Sequence, residues 1–441
     1  MPFFNLRVKK IICNSILVVA GCLFGLIMCE GGLRLYYFGS LKEPYPEAHL
    51  RQPHPTRGWV LRPDQTAFEQ TLDYTVQVRI NSKGLRDKEH DYEKPDGVFR
   101  IVILGDSFME AYQVPLEQSF PRLLEKKLQK AAKQKIEVIN LGVGGYGTAQ
   151  EYLSLKEEGI KYKPDLVLLA IYPYNDIRNN SYKIEKELCG QVGALEVAAR
   201  PFFSFDSRGA FVMNAPDYAL ACQIEKKHSD KMEKKKGERS ILEKILLYRM
   251  FENKKMALDA QEKDNFRRYH ALLGVFYSHY DDEWNTAWTV TERLLCMTRD
   301  LAEYHGARFM MISVPAKIQV EQEYLQRAIK SGIARDTQLE LDVDKPEKVL
   351  GGISARNGLE FLSMLDRFRK EYQTTGKELF YRIEDRHWNS SGHECAASGV
   401  AEYILHDELL TNPADESWFG KTGQMHKCKN CSIMNEKKER L

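Results

Sequence analysis

From residue 98 onward the sequence alternates between short apolar runs and longer stretches of helical spacing, and this alternation constrains the fold more than any other feature. Residues 99–104 (FRIVIL), 136–140 (IEVIN), 166–171 (LVLLAI), 308–315 and 359–365 read as strands. Residues 120–132, 148–159, 287–305, 366–374 and 391–405 carry helical spacing. Asn285 or Thr286 is available as a cap for 287–305, and Ser391 with Glu394 is spaced as a capping box. Continuous apolar strands linked by helices imply a parallel sheet covered on both faces. In such sheets ligands bind beyond the carboxyl ends of the strands, so the chemistry is to be sought there.

The sequence before residue 98 differs in kind. Residues 11–29 are apolar except for Asn14 and Ser15. About 20 such residues cross the hydrocarbon core of a bilayer, so the segment is long enough to span. Arg7, Lys9 and Lys10 precede it and Glu30 follows. The positive-inside rule then keeps residues 1–10 in the cytoplasm and sends the remainder outward, as a single-pass signal-anchor in the inner membrane with a periplasmic body. A rival reading takes Val19-Ala20-Gly21-Cys22 as a lipoprotein box with Cys22 as the lipidated anchor, but residues 23–29 continue apolar where a mature lipoprotein turns polar. Residues 43–97 read as a β-rich extension, because 75–80 alternates apolar and polar before a turn at 81–84.

Lys plus Arg total 64 and Asp plus Glu total 62 in 441 residues, a net charge of +2 that excludes a strongly basic nucleic-acid binder. The alternation is broken over residues 178–285, read as a partly helical insertion capping one end of the sheet. It holds a Lys/Glu-rich run at 225–239, read as a solvated face, and an amphipathic stretch at 241–256. Residues 412–441 read as a mobile polar tail. In an exported body a Cys189–Cys222 disulfide is permitted. The tail pair Cys428 and Cys431, alone and without a neighbouring His, is weak evidence for zinc.

Four blocks stand at the ends of sheet elements. Gly105-Asp106-Ser107-Phe108 follows the first core strand, where a serine can present its hydroxyl at the sheet edge. The loop from Asn140 to Thr148 follows the second and exposes backbone N–H groups. Its G-x-G-x-x-G spelling suggests a dinucleotide site, but no acidic residue ends the next strand, as such a site requires. Asn175, in Tyr172-Pro173-Tyr174-Asn175-Asp176, can donate to an oxyanion after the third strand. His387, in Glu384-Asp385-Arg386-His387-Trp388-Asn389, can act as a general base with a carboxylate beside it.

This ordered set resembles the SGNH, or GDSL-type, hydrolase superfamily, and more closely its bacterial membrane-anchored members with a D-x-H-W-N-x-x-G-H element, here residues 385–393. The resemblance covers residues 98–177 and 286–408. It implies a three-layer α/β/α fold with Ser107 as nucleophile, His387 as base and Asp385 as the triad acid. The Ser107 N–H, the Gly145 N–H and the Asn175 side chain would form the oxyanion hole. Two departures stand out. Tyr174 occupies the position before Asn175 where the family commonly has Gly, and Glu384 stands three residues before His387, where the family commonly has Asp, so Glu384 is the alternative acid. His393 reads as a helix-start residue.

The expected activity is that of a serine esterase outside the cytoplasmic membrane, acting on O-acyl groups of cell-envelope glycans or another small ester. No metal or organic cofactor is required by that chemistry. The D-x-H-W element is also similar to alginate-type acetyltransferases, so an O-acetyltransferase for a surface polysaccharide is the alternative. A non-catalytic binding module on the same fold is the third.

Overall fold

A computed structural model describes residues 2–36, 50–71, 73–192, 199–223, 225–227, 230, 272–328, 340–382, 385–407 and 409–410. Glu384, Cys428, Cys431, the 241–256 stretch, the tail at 412–441 and most of the 225–239 run lie outside the described residues. The chain divides into two units, Met1–Tyr45 with Lys227–Asp264, and Pro46–Lys226 with Asn265–Leu441.

In the first unit helix α1 spans Pro2–Tyr36. Its stretch Lys10–Gly32 has a mean hydropathy of 2.5 and is long and apolar enough to cross a membrane. At 1.5 Å rise per residue it reaches about 35 Å, against roughly 30 Å of hydrocarbon.

The second unit opens with two antiparallel hairpins, β1 (Arg51–His54) with β2 (Gly58–Leu61), and β3 (Thr66–Gln70) with β4 (Thr75–Arg79). Strand β4 buries Val76 and Val78 and exposes the residues between them, as its alternating sequence requires. The main sheet follows with β5 (Val98–Gly105), helix α2 (Ser107–Glu110), α3 (Phe120–Ala131), β6 (Lys135–Asn140), α4 (Thr148–Glu157), β7 (Leu166–Ile171) and α5 (Pro173–Asp176). Helix α6 (Tyr182–Val192) and a small hairpin of β8 (Phe202–Phe205) and β9 (Phe211–Asn214) come next. The chain re-enters the sheet through α7 (Asp282–Tyr304), β10 (Arg308–Ser313), α8 (Lys317–Val320), α9 (Gln322–Ala328), α10 (Lys345–Asn357), β11 (Glu360–Leu362), α11 (Leu365–Thr375) and α12 (Ser390–His406).

The sheet is five-stranded and parallel, in the order β11-β10-β7-β5-β6. Alternate side chains serve opposite layers. Ile101, Ile103, Leu166 and Leu168 pack with Leu124, Phe368 and Val400 of α3, α11 and α12. Val102, Leu104, Val167 and Leu169 pack with Leu155, Trp288 and Ile353 of α4, α7 and α10. Burial on both faces explains the unbroken apolar runs, and each such side chain contributes about 1.5–3 kcal/mol. The result is the expected α/β fold with three layers. Strand order reverses direction at β5, so the β5–β7 border is the topological switch point where a crevice opens beyond the strand ends.

Local differences from the sequence reading have local causes. Helix α7 starts at Asp282, ahead of the Asn285 or Thr286 cap, because the Asp281 carboxylate accepts the Trp284 N–H at 2.9 Å. Helix α12 is capped by Asn389, which accepts from the N–H groups of Ser391 and Gly392, and not by the Ser391–Glu394 box. Helix α10 was hidden by Gly351-Gly352 in its interior, each costing about 1 kcal/mol of helix propensity. Cys222 carries a free thiol, and the Cys189 side chain lies outside the described residues.

Candidate active site

The first block turns sharply at the end of β5. The Asp106 side chain caps α2 by accepting the Phe108 N–H at 2.9 Å, which places Ser107 as the first residue of a four-residue helix. The other Asp106 oxygen accepts the Asn175 amide at 2.9 Å. Blocks one and three are thereby tied together across the β5–β7 border. The far end of α2 is held by Arg86, a buried guanidinium that donates to the carbonyls of Glu110 (2.7 Å), Ala111 (2.7 Å) and Val114 (2.5 Å). These bonds satisfy helix-end acceptors that would otherwise be buried without partners.

The last block closes on the serine. Ser107 Oγ lies 2.7 Å from His387 Nε2, and His387 Nδ1 lies 2.5 Å from Asp385 Oδ1. The same Asp385 oxygen accepts the His387 backbone N–H at 2.8 Å, so residues 385–387 fold back on themselves. Trp388 is fully buried, with its ring 5.1 Å from Phe108 and 5.0 Å from Phe368. Phe108 in turn lies 4.7 Å from the His387 ring. The Trp388 anchor therefore fixes the strip from which the imidazole projects, and such aromatic pairs add about 0.5–1.5 kcal/mol each beyond area burial. His393 is buried, accepts the Phe120 N–H at 3.2 Å, and is held down to about 3 by burial and by the charges of Arg86 and His387. It is a packing residue at the start of α12.

The second block supplies a loop whose donors are mostly spoken for. Gly144 N–H points at the Glu110 carboxylate, and the Gly142 N–H donates to Asn140 Oδ1 at 3.0 Å. Arg51 lies 3.9 Å from the same Glu110. A phosphate would meet a carboxylate at this loop, which disfavours the dinucleotide reading of the G-x-G-x-x-G spelling. Gly145 has φ +76, a left-handed conformation natural to glycine. Its carbonyl accepts from Arg200 at 2.9 Å. Among the described residues, the backbone N–H groups of Ser107 and Gly145 donate no hydrogen bond. Gly142 lies so close to α2 that an added Cβ would stand 2.4 Å from Met109 Cβ.

The electrostatics favour a charged acid beside the imidazole. Burial would raise the Asp385 carboxyl, but the His387 charge and hydrogen bonds from His387 and Tyr74 overcome it and bring the group from 3.8 down to about 2. Burial pushes Asp106 up, with the Phe108 N–H, His387 and Asn175 opposing. Behind them Glu151 and Asp176 are buried carboxyls pushed well above the ordinary range by burial and by neighbouring carboxyl charge. Among the described residues no group of three His, Cys, Asp or Glu side chains is placed to hold a metal ion.

The structure thus links Ser107, His387 and Asp385 directly and Asn175 through Asp106, with Gly145 in the loop after β6, while Glu384 lies outside the described residues. An arrangement of hydroxyl, imidazole and carboxylate in hydrogen-bond contact can move a proton off the hydroxyl and deliver it to a leaving group. Arg86, Glu110, Arg200 and Tyr74 also shape the site. They have no motif signal, because each acts on a residue remote in sequence.

Residues 275–428 match the family described as SGNH hydrolase-like domain, acetyltransferase AlgX. An arylesterase from Vibrio mimicus is 32% identical over 85 residues, which is 19% of this chain and 42% of that protein, so the match spans less than half of the relative. Among solved structures, an acetyl xylan esterase is 10% identical, with a TM-score of 0.35 over 69% of this chain and 100% of its own. A lipase/acylhydrolase from Enterococcus faecalis is 13% identical, with a TM-score of 0.33 over 70% of this chain and 96% of its own. Over residues 275–428 the chain is thus similar to the SGNH hydrolase-like family, and the arylesterase shares an 85-residue stretch with it.

Proposed function

We propose that the chain is a membrane-anchored serine esterase whose catalytic unit faces outward and removes O-acyl groups from cell-envelope glycans. The observation that carries the reaction type is the continuous contact from Ser107 Oγ to His387 Nε2 (2.7 Å) and from His387 Nδ1 to Asp385 Oδ1 (2.5 Å). In this mechanism His387 takes the hydroxyl proton as Ser107 attacks the acyl carbon. The oxyanion is received by the Ser107 and Gly145 N–H groups and by the free hydrogen of the Asn175 amide, whose other hydrogen is held by Asp106. The alcohol then leaves with the proton from His387, and a water activated by the same ring releases the acid. Asp385 keeps the ring oriented and balances its positive charge.

The membrane anchor rests on the Lys10–Gly32 helix and on the charges that flank it. The glycan substrate rests on that outward placement and on the superfamily. The match to the acetyltransferase AlgX description favours a second reading, in which a sugar hydroxyl replaces water as the acyl acceptor. Full-length protein in detergent should hydrolyse p-nitrophenyl acetate, and adding an oligosaccharide acceptor separates the two readings by whether transfer outpaces hydrolysis. Wild-type turnover by Ser107→Ala would reject both.

A further inference from the structure

Hairpin β3–β4 lies outside the four blocks, yet its tip reaches the acid. Tyr74 Oη donates to Asp385 Oδ2 at 3.0 Å, across 311 positions of sequence. The neighbouring Asp73 carboxylate accepts two backbone N–H groups of the acid loop, Asp385 at 3.0 Å and Arg382 at 3.2 Å. Tyr74 also packs against Tyr381, with ring centroids 5.1 Å apart, and Tyr381 Oη donates to the Gln113 carbonyl at 3.0 Å. The acid loop is closed at its base by the Phe380–Trp388 bridge and by the Tyr381 N–H donating to the His387 carbonyl at 3.1 Å, and the hairpin tip adds a second hold at the Asp385 end.

We propose that the Asp73–Tyr74 tip is a positioning element for the triad acid, a carboxylate that fixes the loop backbone joined to a phenol that fixes the free oxygen of Asp385. This rests on the Ser107–His387–Asp385 reading and adds the device that makes it competent. The division of labour follows from the acceptors. Oδ1 of Asp385 is fully engaged by His387, so Oδ2 would otherwise be free to rotate the carboxylate off the ring. The phenol removes that freedom. Burial, together with the nearby Tyr112 and Asp385, keeps Tyr74 far above its ordinary value, so the group stays a donor at every working pH.

The test is steady-state kinetics of the full chain on p-nitrophenyl acetate from pH 5 to 9, with Tyr74→Phe, Asp73→Asn and Ser107→Ala. Tyr74→Phe keeps the ring packing and deletes only the donor. A small misplacement of a triad member costs up to about 100-fold, so kcat should fall roughly 10- to 100-fold with KM nearly unchanged. Without the phenol the Asp385 charge is less satisfied and holds the imidazolium more tightly, so the acid limb of the profile should move to higher pH. Asp73→Asn retains one side-chain acceptor for two N–H groups and should lose activity with a smaller displacement of that limb.

Wild-type kcat and an unmoved limb in Tyr74→Phe overturn the proposal. So does a loss of activity that tracks a lowered melting temperature with the limb in place, which would make the hairpin a structural prop only. If Ser107→Ala remains active, the reading of the site itself fails, whatever Tyr74→Phe does.

Discussion

Replacing Asp385 by Asn tests how much of the site's chemistry resides in one charge. The carboxyl falls from 3.8 to about 2, against the opposing effect of burial, and the leading causes of the fall are the His387 charge and the bonds from its ring and backbone N–H. The fall, at about 1.36 kcal/mol per unit, corresponds to roughly 2 kcal/mol of net stabilisation of the charged carboxylate, shared between the His387 ring, its backbone N–H and Tyr74 after burial is offset. Imidazolium is the form His387 must adopt while Ser107 attacks. Losing the charge should therefore lower kcat by at least about 10-fold, and toward 10⁴-fold if the amide also inverts the ring tautomer. The same coupling has a sign in stability. A folded-state value below the unfolded one contributes stability that is fully present above about pH 4 and is lost as the pH falls through about 2. Urea midpoints at pH 7 and at pH 2–3 should thus differ less for Asp385→Asn than for the wild type, which gives up roughly 2 kcal/mol over that window. A kcat for Asp385→Asn within about threefold of wild type would refute the assignment of the acid, whatever the stability data show.

Asn175→Ala should lower kcat/KM by about 10²–10³, the usual loss for one oxyanion donor, and a change under tenfold would remove Asn175 from that role. His393→Leu should leave kcat within about twofold of wild type while lowering the melting temperature, because the variant strands the buried Phe120 N–H at about 1–3 kcal/mol. Gly142→Ala should destabilise by about 1–3 kcal/mol or more in urea titrations, since its Cβ would stand 2.4 Å from Met109 Cβ and 2.8 Å from the Glu110 backbone nitrogen.

What was legible in the sequence is what is encoded locally. The β5, β6, β7 and β10 strands announce themselves because burial on both faces removes nearly every solvated position, and blocks follow at once after β5, β6 and β7. The His387-Trp388-Asn389 string is also local, since anchor, base and cap are consecutive. The supports are a different matter. Arg86 acts on carbonyls 24 to 28 residues away, Arg200 on a carbonyl 55 away, and Tyr74 on a carboxylate 311 away. An arginine or tyrosine in isolation has the same spelling on a solvated surface, so only the folded arrangement distinguishes these three. The capping errors have the same origin, because Ser391 and Asn389 are both competent caps and the bonds of Asn389 to the Glu378 and Phe380 carbonyls, at 2.9 and 3.3 Å, decide between them.

The distance in sequence between Ser107 and His387, 280 positions, has a consequence for how the protein comes into being. Chains are made from the N-terminus, and Arg86 can brace the serine's short helix as soon as residue 114 has emerged. The imidazole and its carboxylate arrive only some 280 residues after the serine, and their closure depends on contacts of very long range, the slowest kind to form. A nascent or truncated chain can therefore display its serine for a long interval without the means to ionise it. On the proposed function, ester chemistry would begin only once residues through 387 have been made and the chain has closed upon itself, so the order of synthesis acts as a safety catch.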